Sequence, residues 1–188
     1  MLILASQSPR RRRLLEEAGI AFLADPANAP EAPWDGKHAP AEHVVWLAKA
    51  KAGEVVLRHP GQVVLAADTV VVKNDRIHGK PHDLAEAKRM LADLAGDAHE
   101  VLTGVVLQRD GKILASWVSR TTVHFKPLTP KEIEDYCRAV NVLDKAGAYG
   151  IQEHGEMLVK SIDGLRSNVI GLPIETVLAT LENLGIKS

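Results

Sequence analysis

The run Val63-Val-Leu-Ala-Ala-Asp-Thr-Val-Val-Val72 holds nine residues suited to a buried strand and one, Asp68, that is not. A continuous β-branched and aliphatic run without polar alternation belongs to a strand covered on both faces. A carboxylate inside it needs a partner, a metal or a shifted pKa, because desolvating the bare charge is costly. Asp68 therefore either caps a neighbouring loop at a strand end or serves chemistry, and the flanking segments bear on the choice.

Upstream, His59-Pro60-Gly61 breaks a helix expected over Ala41 to Leu57, which buries Val44, Leu47, Ala48 and Val55. Lys51 lies on that apolar stripe, so it either snorkels past the core edge or points into a polar pocket that needs a cation. Downstream, Lys73 to Arg76 reads as a hairpin turn with Ile77-His78 as the return strand. Gly79-Lys80-Pro81 follows, its Gly allowing close backbone approach and its Pro stiffening the exit, so Lys80 is held more firmly than a surface lysine. Asp83 with Glu86 resembles a capping box for a helix burying Leu84, Ala87, Leu91 and Leu94, closed by Gly96. Two long strands, Glu100 to Gln108 and Lys112 to Phe125, flank an Arg109-Asp110-Gly111 turn. Thr129-Pro130 then opens a helix carrying Ile133, Tyr136, Cys137 and Val140, which predicts a core position for the cysteine. Asp144 to Gln152 has too many small residues for an element interior, so backbone approaches something closely there. A strand over Met157 to Ile162 and a helix on Ile174, Val177, Leu178 and Leu181 complete the chain.

At the N-terminus, a short buried strand, Leu2 to Ala5, turns through Ser6-Gln7-Ser8-Pro9 into a helix running to Ala18, with Ser8 as N-cap. Arg10 to Arg13 crowd its first turn, where the helix dipole disfavours cations. A hydroxyl-bearing turn leading to a helix N-terminus with guanidinium groups describes an anion cradle, in which Arg10 and Arg11 would match phosphate oxygens. A solvated basic face accounts for Arg12 and Arg13. Between Ala21 and Pro40 the chain reads as a loop or irregular edge strand whose carboxylates are Asp25, Glu31 and Asp35.

The 188 residues, 46% hydrophobic and 25% charged, suit one domain of two lobes spanning 1–188. A net charge of -1 gives no global attraction for nucleic acid or anionic membranes, so any affinity for phosphate is local. The solitary Cys137 excludes an intrachain disulfide and a cysteine metal cluster, and His38, His43, His99 and His154 lack paired ligand spacing. The absence of a signal peptide and of an 18-residue apolar span predicts a cytoplasmic protein.

Three cations from different segments and two acids, Asp68 and Glu31, form the mixture a polyphosphate site uses. In order along the chain, SQSPRR (from Ser6), AADTVV (around Asp68), GKP (from Gly79), HEVLTGVVL (from His99), DKAGAYGIQ (from Asp144) and NVIGLP (from Asn168) closely resemble the Maf family of nucleoside triphosphate pyrophosphatases. The resemblance implies an α/β fold of the Maf/inosine-triphosphatase type, a long mixed β-sheet with flanking helices forming two lobes around a central nucleotide-binding cleft. It implies hydrolysis of a nucleoside triphosphate to the monophosphate and pyrophosphate with a divalent cation, Mg²⁺ or Mn²⁺, and a homodimer. Asp68 matches the family's catalytic acid, Ser6, Ser8, Arg10 and Arg11 fall in its phosphate-binding turn, and Lys51 and Lys80 match its cations. Glu31 matches a metal-binding acid of the second loop, where the usual acidic pair is reduced to Pro30-Glu31. Asp68-Thr69 and Gly150-Ile151-Gln152 resemble the dTTP/UTP branch, with Thr69 and Gln152 facing a pyrimidine edge, and Glu153-His154 stands where that branch has small residues. The alternatives are a 7-methyl-GTP pyrophosphatase of the same family and a nucleotide-binding regulator of septum formation.

Overall fold

The central run forms strand β3, Val63–Lys73, the axis of a mixed sheet that has seven strands among the described residues. The computed structural model describes residues 1–28 and 33–186, so Glu31 lies outside the described residues. The other strands are β1 (Leu2–Leu4), β2 (Phe22–Ala24), β4 (Arg76–His78), β5 (Ala98–Arg109), β6 (Lys112–Phe125) and β7 (Val159–Asp163). Their order is β2-β1-β3-β5-β6-β7, with β4 also on β3. The first three run parallel, whereas β4 to β7 pair antiparallel with their neighbours.

One edge of β3 is paired with β5 from Val64 to Val72. The other edge is shared. β1 covers Val63 to Leu65 and β4 covers Val71 to Lys73, so Ala66 to Val70 have a ladder partner on one side only. Asp68 sits in the middle of that gap.

Side chains on β3 alternate between two differently covered faces. Val64 and Ala66 pack with Ala48, Ala52 and Val55 of helix α2 (Pro40–Val56). Val63, Leu65 and Ala67 pack with Leu14 and Leu15 of α1 (Pro9–Glu17). On that face they also meet Val177 and Leu181 of α6 (Ile174–Asn183). Val71, further along, joins a separate cluster with α3 (Leu84–Leu94) and α4 (Pro130–Ala139). Val63 to Ala67 are thus covered by α1, α2 and α6, while Val71 is covered from α3 and α4.

Within the hairpin, Asp110 and Gly111 both have positive φ (47° and 78°), as a two-residue I′ turn requires. Gly104, opposite Asp68 in the ladder, is required by packing. A Cβ there would stand 2.5 Å from the carbonyl carbon of Val44 and 2.7 Å from the nitrogen of Val45, so α2 lies directly on the backbone of β5.

Three expected core positions are corrected, one being Leu178 of α6, which is 37% exposed while Val177 and Leu181 carry the packing. Leu84, the first residue of α3, is 47% exposed, because the inward stripe begins one turn later at Ala87. Cys137 is half-buried at the rim of the α3/α4 cluster instead of inside it, and burial pushes its thiol pKa up. A five-residue helix, α5 (Arg166–Ile170), lies in a segment without helical periodicity. Among the described residues no helix is long and apolar enough to cross a membrane.

Candidate active site

At the gap, a cleft of about 940 Å³ runs along the edge of β3. Every proposed site residue that the structure describes lines it: the Ser6 to Arg11 turn, Lys51, Asp68, Thr69, Lys80 and Gln152. Trp34 and His43, which sequence reasoning did not select, line it as well.

Alternation sends Asp68 and Thr69 to opposite faces. Asp68, 6% exposed, faces α2, where the Lys51 ammonium donates to its Oδ1 at 2.6 Å. Lys51 thus takes the pocket-directed course, its position on the apolar stripe bringing it down onto the sheet instead of along its rim. Both side chains are buried enough (14% and 8% exposed) for the pair to be shielded from solvent screening. This partner is how the strand accommodates its carboxylate, and the bond takes one of two oxygens.

Thr69 faces α1. Its hydroxyl accepts from Arg11 Nη2 at 3.0 Å and lies 2.9 Å from Thr103 Oγ1 and 3.2 Å from the Gly171 carbonyl. One donor and two acceptor positions are all a hydroxyl has, so these three contacts fill its capacity within the protein. Arg11 is itself 9% exposed, and donates from Nε to the Gly171 carbonyl at 2.7 Å and from Nη1 to Ser6 Oγ at 3.1 Å. Its fork therefore joins α1, β3 and the turn before α6.

Ser8 caps α1, its Oγ accepting from the Arg11 N–H, and Pro9 occupies the first turn. Ser6 Oγ accepts from the Ser8 N–H at 3.2 Å, which folds the turn back on itself. No acid occupies the first helical turn. Arg12 and Arg13 are exposed, and Arg13 pairs with Glu17, as expected for a solvated face. Arg10 crosses the cleft instead, donating from Nη1 to Asp144 Oδ2 at 3.3 Å.

Lys80 is an exposed residue on the cleft rim, beside a backbone bond from the Gly147 N–H to the Gly79 carbonyl at 3.0 Å. That bond ties the Gly-Lys-Pro turn to the small-residue segment after Asp144. The close approach expected there is to the protein itself. A Cβ on Gly147 would lie 2.9 Å from Val71 Cγ2, and one on Gly150 would lie 2.9 Å from Lys145 Cε. Gln152 is exposed on this wall.

Behind the wall, Tyr149 Oη lies 2.7 Å from His99 Nε2, and His99 packs edge-on against Phe125 and Tyr149. Burial, followed by the charge of His78, drives the His99 pKa down to about 3. Tyr136 Oη accepts from the Gly150 N–H at 3.0 Å, and burial pushes its phenol up to about 12.

A divalent cation is tested by the donor set. Among the described residues no group of three His, Cys, Asp or Glu side chains converges. Magnesium bound with substrate commonly takes one or two carboxylates and completes its shell with phosphate oxygens and water, a demand that a single carboxylate on the cleft floor satisfies. Asp68 fits that role.

A cleft with a carboxylate at a sheet gap, a helix N-terminus with inward guanidinium groups and further lysines is a site for an anionic, phosphate-bearing ligand. The sequence model described as Maf-like protein matches residues 1–184, and the chain belongs to that family. A protein named dTTP/UTP pyrophosphatase in Myxococcus xanthus is 45% identical over 186 residues, 99% of this chain and 93% of its own. Proteins of the same name from an Anaeromyxobacter species and from Bacillus pumilus are 46% and 43% identical, over 98% of this chain and 89% and 97% of theirs. A solved structure described as a HAM1 protein from Coxiella burnetii is similar at 15% identity over 97% of this chain and 98% of its own, with a TM-score of 0.49.

Proposed function

We propose that this chain hydrolyses dTTP and UTP to the nucleoside monophosphate and pyrophosphate, with residues 1–188 acting as one unit. The observation that carries the chemistry is the Lys51-clamped Asp68 at the ladder gap, facing a cleft that the Arg10-Arg11 helix start also lines. The base preference is supported by the dTTP/UTP pyrophosphatase name of relatives at 43–46% identity.

Water attacks the α-phosphorus in line with the leaving pyrophosphate. Lys51 holds Asp68 Oδ1, so Oδ2 is the oxygen left either to take the proton of the attacking water or to hold a cation that acidifies it. Arg10, Arg11 and Lys80 stabilise charge on the phosphate oxygens. Ser6 orients Arg11, and Ser8 fixes the helix start that carries Arg10 and Arg11 to the cleft. Asp68, joined by Glu31, would hold Mg²⁺ or Mn²⁺, which supplies charge neutralisation on the phosphates and a more acidic bound water. Gln152 is the group offered to the pyrimidine edge, while Thr69 contributes through Arg11.

A panel of triphosphates, including 7-methyl-GTP, assayed for pyrophosphate release with and without Mg²⁺ and Mn²⁺ tests the reading. Turnover highest on dTTP and UTP is expected, and a preference for 7-methyl-GTP would replace the substrate. Asp68→Asn is expected to lower kcat by roughly three orders of magnitude or more while nucleotide binding survives. Near-normal turnover in that variant refutes the role of Asp68 as base.

A further inference from the structure

Lys145 is a lysine with almost no surface. Its side chain is 3% exposed although it borders the cleft. Its ammonium donates to the Asn141 carbonyl at 2.6 Å and to Asp144 Oδ1 at 2.7 Å, and it forms an ion pair with Glu153 Oε1 at 3.1 Å. Two carboxylates and a carbonyl thus surround the ammonium, which has almost no surface through which to meet a nucleotide. Its partners have other connections. Asp144 presents its second oxygen to Arg10 across the cleft. Burial raises the Asp144 pKa, but the hydrogen bond from Lys145, that ammonium's charge and Arg10 outweigh it, and the carboxyl is held below its usual range. Glu153 directly follows Gln152. Between the two acids the backbone closes over the lysine stem, so closely that Gly150 has no room for a Cβ beside Lys145 Cε.

We propose that Lys145 is a positioning residue that clasps residues 144 and 153 together and thereby sets both ends of the cleft, Gln152 at the base and, through Asp144, Arg10 at the phosphates. The proposal rests on the roles given above to Gln152 and Arg10. A buried ammonium without a route to the nucleotide changes how well and which triphosphate is held, and leaves the Lys51-Asp68 chemistry alone. Glu153, the acid at a position where the resembling branch has small residues, makes the clasp two-ended in this chain.

The test is steady-state kinetics of the full chain on dTTP, UTP, CTP and GTP for the wild type, Lys145→Met and Glu153→Ala. Lys145→Met keeps the stem and removes every donor. It is expected to raise KM for dTTP about tenfold and to reduce the dTTP-over-CTP ratio of kcat/KM by about as much, with kcat within about threefold of wild type. Glu153→Ala is expected to move the same two quantities in the same direction by less. KM and ratio within about twofold of wild type in both variants, or a fall in kcat common to all triphosphates at unchanged KM, overturns the clasp. If Lys145→Met does not fold, Glu153→Ala decides alone. A wild type that prefers another triphosphate overturns the substrate reading only, and the clasp is then read on that triphosphate against the rest. If none turns over, calorimetric dTTP binding replaces KM: weakening of about tenfold supports the clasp and an unchanged Kd overturns it.

Discussion

Arg11 is the residue on which the phosphate side of the cleft turns. Its three guanidinium nitrogens bond a serine hydroxyl, a threonine hydroxyl and the Gly171 carbonyl, so the fork is fixed by partners from three segments. A lysine cannot reproduce that geometry from one ammonium. Arg11→Lys is therefore expected to lose roughly 100-fold in kcat/KM, and Thr69→Val, which removes one of the three contacts, roughly tenfold. Equal activity of Thr69→Val and wild type on every triphosphate would remove Thr69 from the site. His99 bears on stability instead. Its folded pKa, about 3, lies below the unfolded value of about 6.5, so the unfolded chain binds the extra proton first as the pH falls. The contribution of the neutral, buried imidazole is complete above about pH 6.5 and is lost towards pH 3 at up to about 1.4 kcal/mol per unit. Urea midpoints of wild type and His99→Phe across that range check this. The variant's profile should be shallower, whatever its absolute stability, and parallel profiles would show that His99 is not the group responsible.

At the scale of elements, the contact between α2 and β5 carries Lys51 to Asp68. Gly104→Ala places a methyl against the Val44 carbonyl, backbone that cannot rotate away, so α2 has to lift. A loss of about 1–3 kcal/mol in urea unfolding is expected, together with reduced kcat. A stable, fully active Gly104→Ala enzyme would show that the helix tolerates displacement. The strands, most helices and the anomaly of Asp68 were legible because they rest on local rules: periodicity, caps, a charge set in an apolar run; the pairing of Asp68 with Lys51, from another element, was not. The ladder gap was not, since it depends on two strands from opposite directions ending short on one edge of β3. Nor was the Lys145 clasp. A lysine among glycines and alanines has no periodic pattern, and its burial is decided by acids whose spacing reveals nothing until the loop closes. Gly104 lacked a signal of its own as well, being one glycine in a β-forming run. Leu84 misled because a helix's first residue matches the stripe in sequence but leaves the core at the helix end.

For the whole molecule, the sheet joins two kinds of connectivity. The β5-β6 hairpin closes on a two-residue turn, while β1, residues 2–4, must find residues 63–65 of β3 to pair in parallel. Hairpins of this kind close in microseconds, whereas distant parallel pairing first has to overcome the entropy of a long loop. Pulsed hydrogen exchange during refolding should therefore protect β5 and β6 amides before those of β1, and simultaneous protection would contradict that order. Because Ser6 to Arg11 follow β1 directly, the phosphate cradle is assembled only when that first strand docks. The portion of the chain synthesised first thus completes the site last, and a refolding sample should regain its hairpin signal before it regains turnover.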